Sequence, residues 1–203
     1  MKKFGLLLCT MFAGILTMYG QGAKNIKINE VLTNNTANLQ DEFGNRRAWI
    51  ELANTSFSTY DVRGMYITTD RRVLNKGLSV PQRIKMMSCI PNGDNRTSMS
   101  AREHLLFFFN SNPSHGTLHL SAQISKDKPT WIALYDGNAV DIIDSVTVPP
   151  LAANQSYARI KDGADQWAVK TSDCVTPGIE NYIHANENKD CQTEKRRPTT
   201  DLV

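Results

Sequence analysis

The stretch "AWIELANTSFSTYDVRGMYITTD", residues 48–70, changes character halfway through. Trp49-Ile50-Glu51-Leu52-Ala53-Asn54 has the β-branched, aromatic and aliphatic content of one strand. Tyr60 to Thr68 has the content of a second, and the polar Thr-Ser-Phe-Ser-Thr link of residues 55–59 joins them. Nothing in the stretch is a nucleophile beside a base, a metal cage or a glycine-rich phosphate cradle. It speaks for an architecture rather than a chemistry.

Reading outward, the same signal recurs. "IKINEV" (26–31) alternates Ile26, Ile28 and, less cleanly, Glu30 on one side. Further strand-length runs are "HLLFFF" (104–109), "GTLHL" (116–120), "TWIALYD" (130–136), "AVDIIDSVTV" (139–148), "SYARI" (156–160) and "QWAVK" (166–170). Turn signals separate them: Asp41-Glu42-Phe43-Gly44-Asn45, Pro91-Asn92-Gly93-Asp94, Asn112-Pro113, Asp136-Gly137-Asn138 and Asp162-Gly163. Asp-Gly-Asn between two apolar runs predicts a hairpin whose glycine takes the positive φ. Many short strands with turns between them predict an all-β sandwich or barrel. Trp49, Trp131 and Trp167 each fall inside a strand, where an indole can fill the space between two facing sheets.

The N-terminus carries a compartment signal. Lys2 and Lys3 precede an apolar run from Leu6 to about Met18, and Gly20 and Gly22 offer cleavage points. That is the layout of a secretory signal peptide over residues 1–22, and its apolar core is short for a span of roughly 20 residues. Cys9 stands before most of the apolar core, not after it as a lipoprotein acceptor would. The expected layout is a domain over residues 23–183, followed by a polar, disordered tail over 184–203 that contains Lys195-Arg196-Arg197.

The formal charge of the 203-residue chain is +3, and loss of Lys2 and Lys3 brings it near neutrality. The charge is uneven. Residues 71–102 hold Arg71, Arg72, Lys76, Arg83, Lys85, Arg96 and Arg102 against Asp94 alone. This segment lacks period-2 alternation and reads as a long basic excursion with a helical turn near Val80 to Met87. A local basic surface of this kind attracts an anionic partner even on a neutral protein. Cys89, Cys174 and Cys191 follow the export signal, an odd number with no CxxC or Cys/His ligand spacing. A Cys89–Cys174 bridge and three unpaired thiols are both open.

The order of the fragments resembles the lamin-tail domain, an immunoglobulin-like β-sandwich. The carrying pieces are Ile28-Asn29-Glu30-Val31, Trp49-Ile50-Glu51-Leu52 with Asn54, Gly64-Met65-Tyr66-Ile67-Thr68 with Asp70, and "TWIALYD". Asp144-Ser145-Val146, Ser156-Tyr157-Ala158-Arg159, Asp162-Gly163 and Thr176-Pro177-Gly178 with Asn181 complete the series over residues 26–181. The resemblance implies a central "WIEL" strand whose Trp and Leu supply core, and a crossing to "GMYITTD" at Gly64. It also implies a non-catalytic binding or scaffolding module without a cofactor. The "GAKNIKINEVL" start and "IPNGD" loop are similar to exported bacterial lamin-tail domains that precede one membrane helix resembling the gamma subunit of sodium-pumping decarboxylases. Two origins fit a chain without that helix after Asn181: a free-standing relative, or a reading frame shifted near Lys189.

Function classes divide accordingly. The leading expectation is an exported, non-catalytic module at the periplasm or outer cell envelope, binding another envelope protein through the seven basic residues. A second is an accessory domain of a membrane decarboxylase. A hydrolase is disfavoured: Ser145 and Ser156 are present, but no G-x-S-x-G elbow or Ser/His/Asp order accompanies them. Nucleic-acid binding is disfavoured by export and by the lack of aromatics among the basic residues. Glu30, Glu51 and Asp144 would be costly to bury alone. An acid/base pair or a metal site is disfavoured because no histidine or second carboxylate accompanies them at ligand spacing, and they are expected to face solvent or to pair with Arg159, Lys27 or backbone donors. His104 and His119 alternate with apolar residues and read as structural, whereas His115 and His184 read as loop residues.

Overall fold

The computed structural model describes residues 22–181. All but the last residue of the expected signal peptide (1–22), the expected tail (184–203), Cys191 and His184 lie outside them. Among the described residues the chain is all-β, apart from a helical end at residues 22–23, one short helix further on and four 3-10 turns. Its strands are β1 (Ile26–Leu32), β2 (Ala48–Asn54), β3 (Tyr60–Asp61), β4 (Tyr66–Thr68), β5 (Ser88–Cys89) and β6 (Ser98–Met99). They continue with β7 (His104–Phe109), β8 (His119–Leu120), β9 (Thr130–Tyr135), β10 (Ile142–Val148), β11 (Ser156–Arg159) and β12 (Trp167–Lys170). The six-stranded sheet runs β12-β11-β1-β2-β7-β8, the four-stranded sheet β10-β9-β4-β5, and β3 pairs with β6. Every pairing is antiparallel except β7 with β8.

One hydrophobic core is shared by the two larger sheets. Ile26, Ile28, Val31, Ile50, Leu52 and Phe107 come from the first sheet, and Ile67, Ile132, Leu134, Val146 and Val148 from the second. Side chains alternate across a strand, so Ile50 and Leu52 point inward while Trp49 and Glu51 point to the other face. The expectation that Trp49 fills the inter-sheet space is therefore corrected. It is fully buried, but on the outer face, in a separate cluster with Leu32, Phe108 and Val175. Trp131 likewise lies on the outer face of its own sheet, with Val73, Ala133 and Tyr135. Trp167 alone packs against the shared core, stacked on Tyr157 at 5.2 Å.

A bulge decides which face carries the acids. Opposite Leu52 and Glu51, β1 places Ile28, Asn29 and Glu30, so the register shifts by one residue. A bulge reverses the side-chain alternation beyond it. Ile28 and Val31 both face the core, and Glu30 and Leu32 move to the outer face with Trp49 and Glu51. The expected placement of Glu30 beside Ile26 and Ile28 fails for this reason.

The Tyr60–Thr68 run is two strands in different sheets, not one. Val62 and Gly64 lie between them, and Gly64 at φ 77° makes the turn while its N–H donates to the Ile90 carbonyl at 2.8 Å. The β9–β10 hairpin forms, yet the left-handed residue is Ala139 at φ 55° and not Gly137. Its loop closes through Asp136 N–H to the Asp141 carbonyl at 2.9 Å.

Residues 71–102 contain the helix α1 (Val80–Ile84), β5 and β6. Val73, Met86 and Met87 cover the outer face of the four-stranded sheet. Arg83 fastens the cover by donating to the carbonyls of Val73, Asn75 and Leu78, and the Thr68 hydroxyl donates to the Met86 carbonyl at 2.6 Å.

Cys89 is a free thiol and Cys174 is disulfide-bonded, so these two are not joined to each other. Burial pushes the Cys89 thiol above its ordinary value despite its exposed backbone position. Native labelling with iodoacetamide is expected to modify Cys89, slowly near neutrality and faster as the pH rises, and to leave Cys174 untouched until reduction. Rapid labelling of Cys174 in peptide mapping would contradict this assignment.

Candidate functional site

The outer face of the six-stranded sheet gathers an internally bonded polar cluster. Glu30 on β1 is fully buried and accepts from the Ser156 hydroxyl at 2.5 Å, the Thr176 hydroxyl at 2.8 Å and Lys170 Nζ at 3.3 Å. Lys170 also donates to Thr176 Oγ1 and, at 2.5 Å, to Asn181 Oδ1. Glu51, equally buried, accepts from Asn29 Nδ2 at 3.0 Å and from Gly178 N–H at 2.6 Å. Asn29, the bulge residue, donates also to Asp162 at 2.9 Å, and Asp162 takes the Asn181 N–H at 2.9 Å. His104 closes the chain 2.8 Å from the other Asp162 oxygen.

The environment spreads the titrations of these groups. Burial pushes the Glu51 carboxyl up to about 7, against the opposing hydrogen bonds of Asn29 and Gly178. Burial pulls His104 down, but its bond to Asp162 and the fields of Glu51, Asp162 and Glu180 outweigh it, and the imidazole lies above its ordinary value. Asp162 is pushed up by burial and pulled further down by His104, the Asn181 N–H and Asn29, and ends low. Lys170 is lowered by burial, against the fields of Glu30, Glu51 and Asp162.

Asp144 follows the sequence expectation, pairing with Arg159 at 2.8 Å and capping the Ile28 N–H at 2.8 Å. Glu30 and Glu51 meet backbone donors as expected, Thr176 N–H at 3.3 Å and Gly178 N–H at 2.6 Å, but neither faces solvent and neither pairs with Arg159 or Lys27. Both are buried, and Asp162 and His104 join Glu51 through Asn29 across long stretches of chain. The cluster ties Thr176, Gly178 and Asn181 of residues 171–181 to the six-stranded sheet. Among the described residues no group of three His, Cys, Asp or Glu could hold a metal ion.

The seven basic residues fall in different surroundings. Arg72 clasps Asp70 at 2.5 and 2.9 Å, Arg96 clasps Asp94 at 2.6 and 2.9 Å, and Arg83 is spent on carbonyls. Arg102 lies 4.5 Å over the Phe57 ring, while Lys76 and Lys85 are exposed. Arg71 and Arg72 line an open groove of about 600 Å³ between residues 69–72 and 123–131. The Arg71 guanidinium reaches from the first wall to stand 5.6 Å over the ring of Trp131 on the second, where Lys128, Ser125 and Thr130 also lie; Asp70, clasped by Arg72, lines the first wall. The Thr69 hydroxyl donates to the Gln123 carbonyl at 2.8 Å and ties the walls together.

Lys128 lies outside the basic segment, and no charge count along the chain singles it out. His119 is buried and His115 packs beside it, both accepting from Asn110 Nδ2 at 2.6 and 3.0 Å under Phe43. Among the described residues no helix is long and apolar enough to cross a membrane. No family model matches the chain, and no curated protein matches it.

Proposed function

We propose that the chain is an exported, non-catalytic recognition module of the lamin-tail, immunoglobulin-like sandwich type, acting at the periplasm or outer cell envelope. It recognises an acidic segment of another envelope protein. The observation that carries this reading is the groove beside Trp131. Arg71 and Lys128 face it from two walls, and Arg71 is held in place by the indole rather than by an acid. A cation fixed over an aromatic ring keeps its charge available while losing little further rotamer freedom on binding. Serine, threonine and glutamine groups between the cations offer hydrogen bonds to a peptide backbone.

The fold resemblance adds that such domains serve as scaffolds, and the two carboxylates that could have done acid–base work accept from Gly178 N–H and from the Thr176 hydroxyl and N–H of the chain itself. The test is fluorescence anisotropy with a labelled Asp/Glu-rich octapeptide and its Asn/Gln counterpart. The acidic peptide should bind, weaken steeply with salt, and lose at least about tenfold in affinity when Arg71→Glu and Lys128→Glu are combined. Both side chains are exposed, so the melting temperature should stay unchanged. Equal binding of the two peptides, or an affinity indifferent to the charge reversal, overturns the reading.

A further inference from the structure

We propose that residues 171–181 form a pH-responsive strap, clamped over the outer face of the six-stranded sheet while Glu51 holds a proton and loosened when Glu51 ionises. The segment leaves β12 at Thr171 and returns across β1 and β2. Its apolar contact is Val175, which closes the cluster of Leu32, Trp49 and Phe108. Its polar contacts are Thr176 on Glu30, Gly178 on Glu51, and Asn181 on Asp162, Lys170 and the Asn29 carbonyl at 2.9 Å. One buried anchor is thus a carboxylate with no cation among its own hydrogen-bond partners.

The groups facing Glu51 set the direction of the response. Glu30 comes from β1, His104 from β7, Lys170 from β12, and Asp162 from the turn between β11 and β12. Ionised Glu51 stands opposite Glu30 on the neighbouring strand, is joined to Asp162 through Asn29, and has no cation among its own hydrogen-bond partners, so its charge is poorly compensated in the interior.

Both titrations have the same sign. The folded-state values of Glu51 and His104 lie above their ordinary 4.5 and 6.5, so each contributes stability that is present at low pH. That stability is lost as the pH rises, for Glu51 through about 7. Asp162, held low, works in the other direction only below 3.8, whereas Lys170, lowered by burial, opposes Glu51 below 10.5, so the comparison with Glu51→Gln is what isolates the Glu51 contribution.

Hydrogen exchange of the full chain, expressed as protection factors corrected for intrinsic rates, tests the strap. Between pH 5.5 and 8.5 the amides of Gly178 and Asn181 should lose at least about tenfold in protection, while those of Ile50 and Phe107 in the sheet keep theirs. Glu51→Gln, which removes the ionisation and keeps an acceptor, should leave the strap protected at both pH values. Unchanged wild-type protection, loss shared equally by the sheet amides, or a Glu51→Gln chain with the wild-type pH dependence each overturns the proposal. If Glu51→Gln does not fold, the wild-type comparison alone decides.

Discussion

Replacing Lys170 with methionine is expected to destabilise the fold by about 3–5 kcal/mol, the range for removing one partner of a buried ion pair. Lys170 is 3 % exposed and Glu30 fully buried, so the carboxylate cannot turn to solvent when its cation is gone. The methionine fills the space of the lysine stem and separates the loss of charge from the loss of packing. Glu30 would keep the hydroxyls of Ser156 and Thr176, which screen it without neutralising it. Asn181 Oδ1 and Thr176 Oγ1 would each lose a donor, so the strap should loosen along with the fold. The double change Glu30→Gln with Lys170→Met leaves no charge behind and should recover a large part of the loss. Urea denaturation of the four chains of this cycle measures it. A cost below about 1 kcal/mol for Lys170→Met would mean that the pair does not carry the buried charge as described.

The layers were legible in the residues because both signals that define them are local. Strand content and turn chemistry are properties of short windows, and the runs at residues 104–109 and 130–136 became strands of nearly the expected bounds. The faces were less legible, because they depend on register. One inserted residue, Asn29, moves Glu30 off the face of Ile28 and places it with Glu51, and nothing in "IKINEV" distinguishes a bulge from a continuous strand. Tyr60–Thr68 misled in a similar way: its composition suits a strand throughout, but the backbone at Gly64 sends its halves to separate sheets. The polar cluster was not legible as a cluster, since it joins Asn29, Glu51, His104, Asp162, Lys170 and Asn181 from six separate places along the chain. Thr176-Pro177-Gly178 with Asn181 stood out only as a fragment of a family pattern. Its physical reason is that Gly178, at φ 81°, delivers an N–H to a buried carboxylate. Of the groove, Arg71 and Arg72 were visible as charges, while Lys128 needed the fold to bring it opposite.

Trp49→Ala is expected to cost about 3–5 kcal/mol, as much as a large aromatic loss from an interior core, although the residue lies outside the space between the sheets. The reason is that the outer face behaves as a second interior. Trp49 is completely inaccessible, walled by Leu32 and Phe108 beneath and by Val175 of the strap above. The cavity left by the indole would take away the surface on which Val175 rests, so the damage should concentrate in residues 171–181. Ile50→Ala, one residue along and facing the shared core, makes the comparison informative. That change should lower stability by about 2–5 kcal/mol while lowering protection of the two sheets together. Hydrogen exchange separates the two outcomes: early loss at Gly178 and Asn181 for Trp49→Ala, uniform loss for Ile50→Ala. The ordering matters for any partner that meets the chain at this end. Besides the disulfide of Cys174, the strap rests on Val175 and a few polar anchors, and its opening is expected at a lower free energy than that of the sheets. If Trp49→Ala instead weakened the inter-sheet core first, the outer cluster would be an extension of that core and the strap would have no stability of its own.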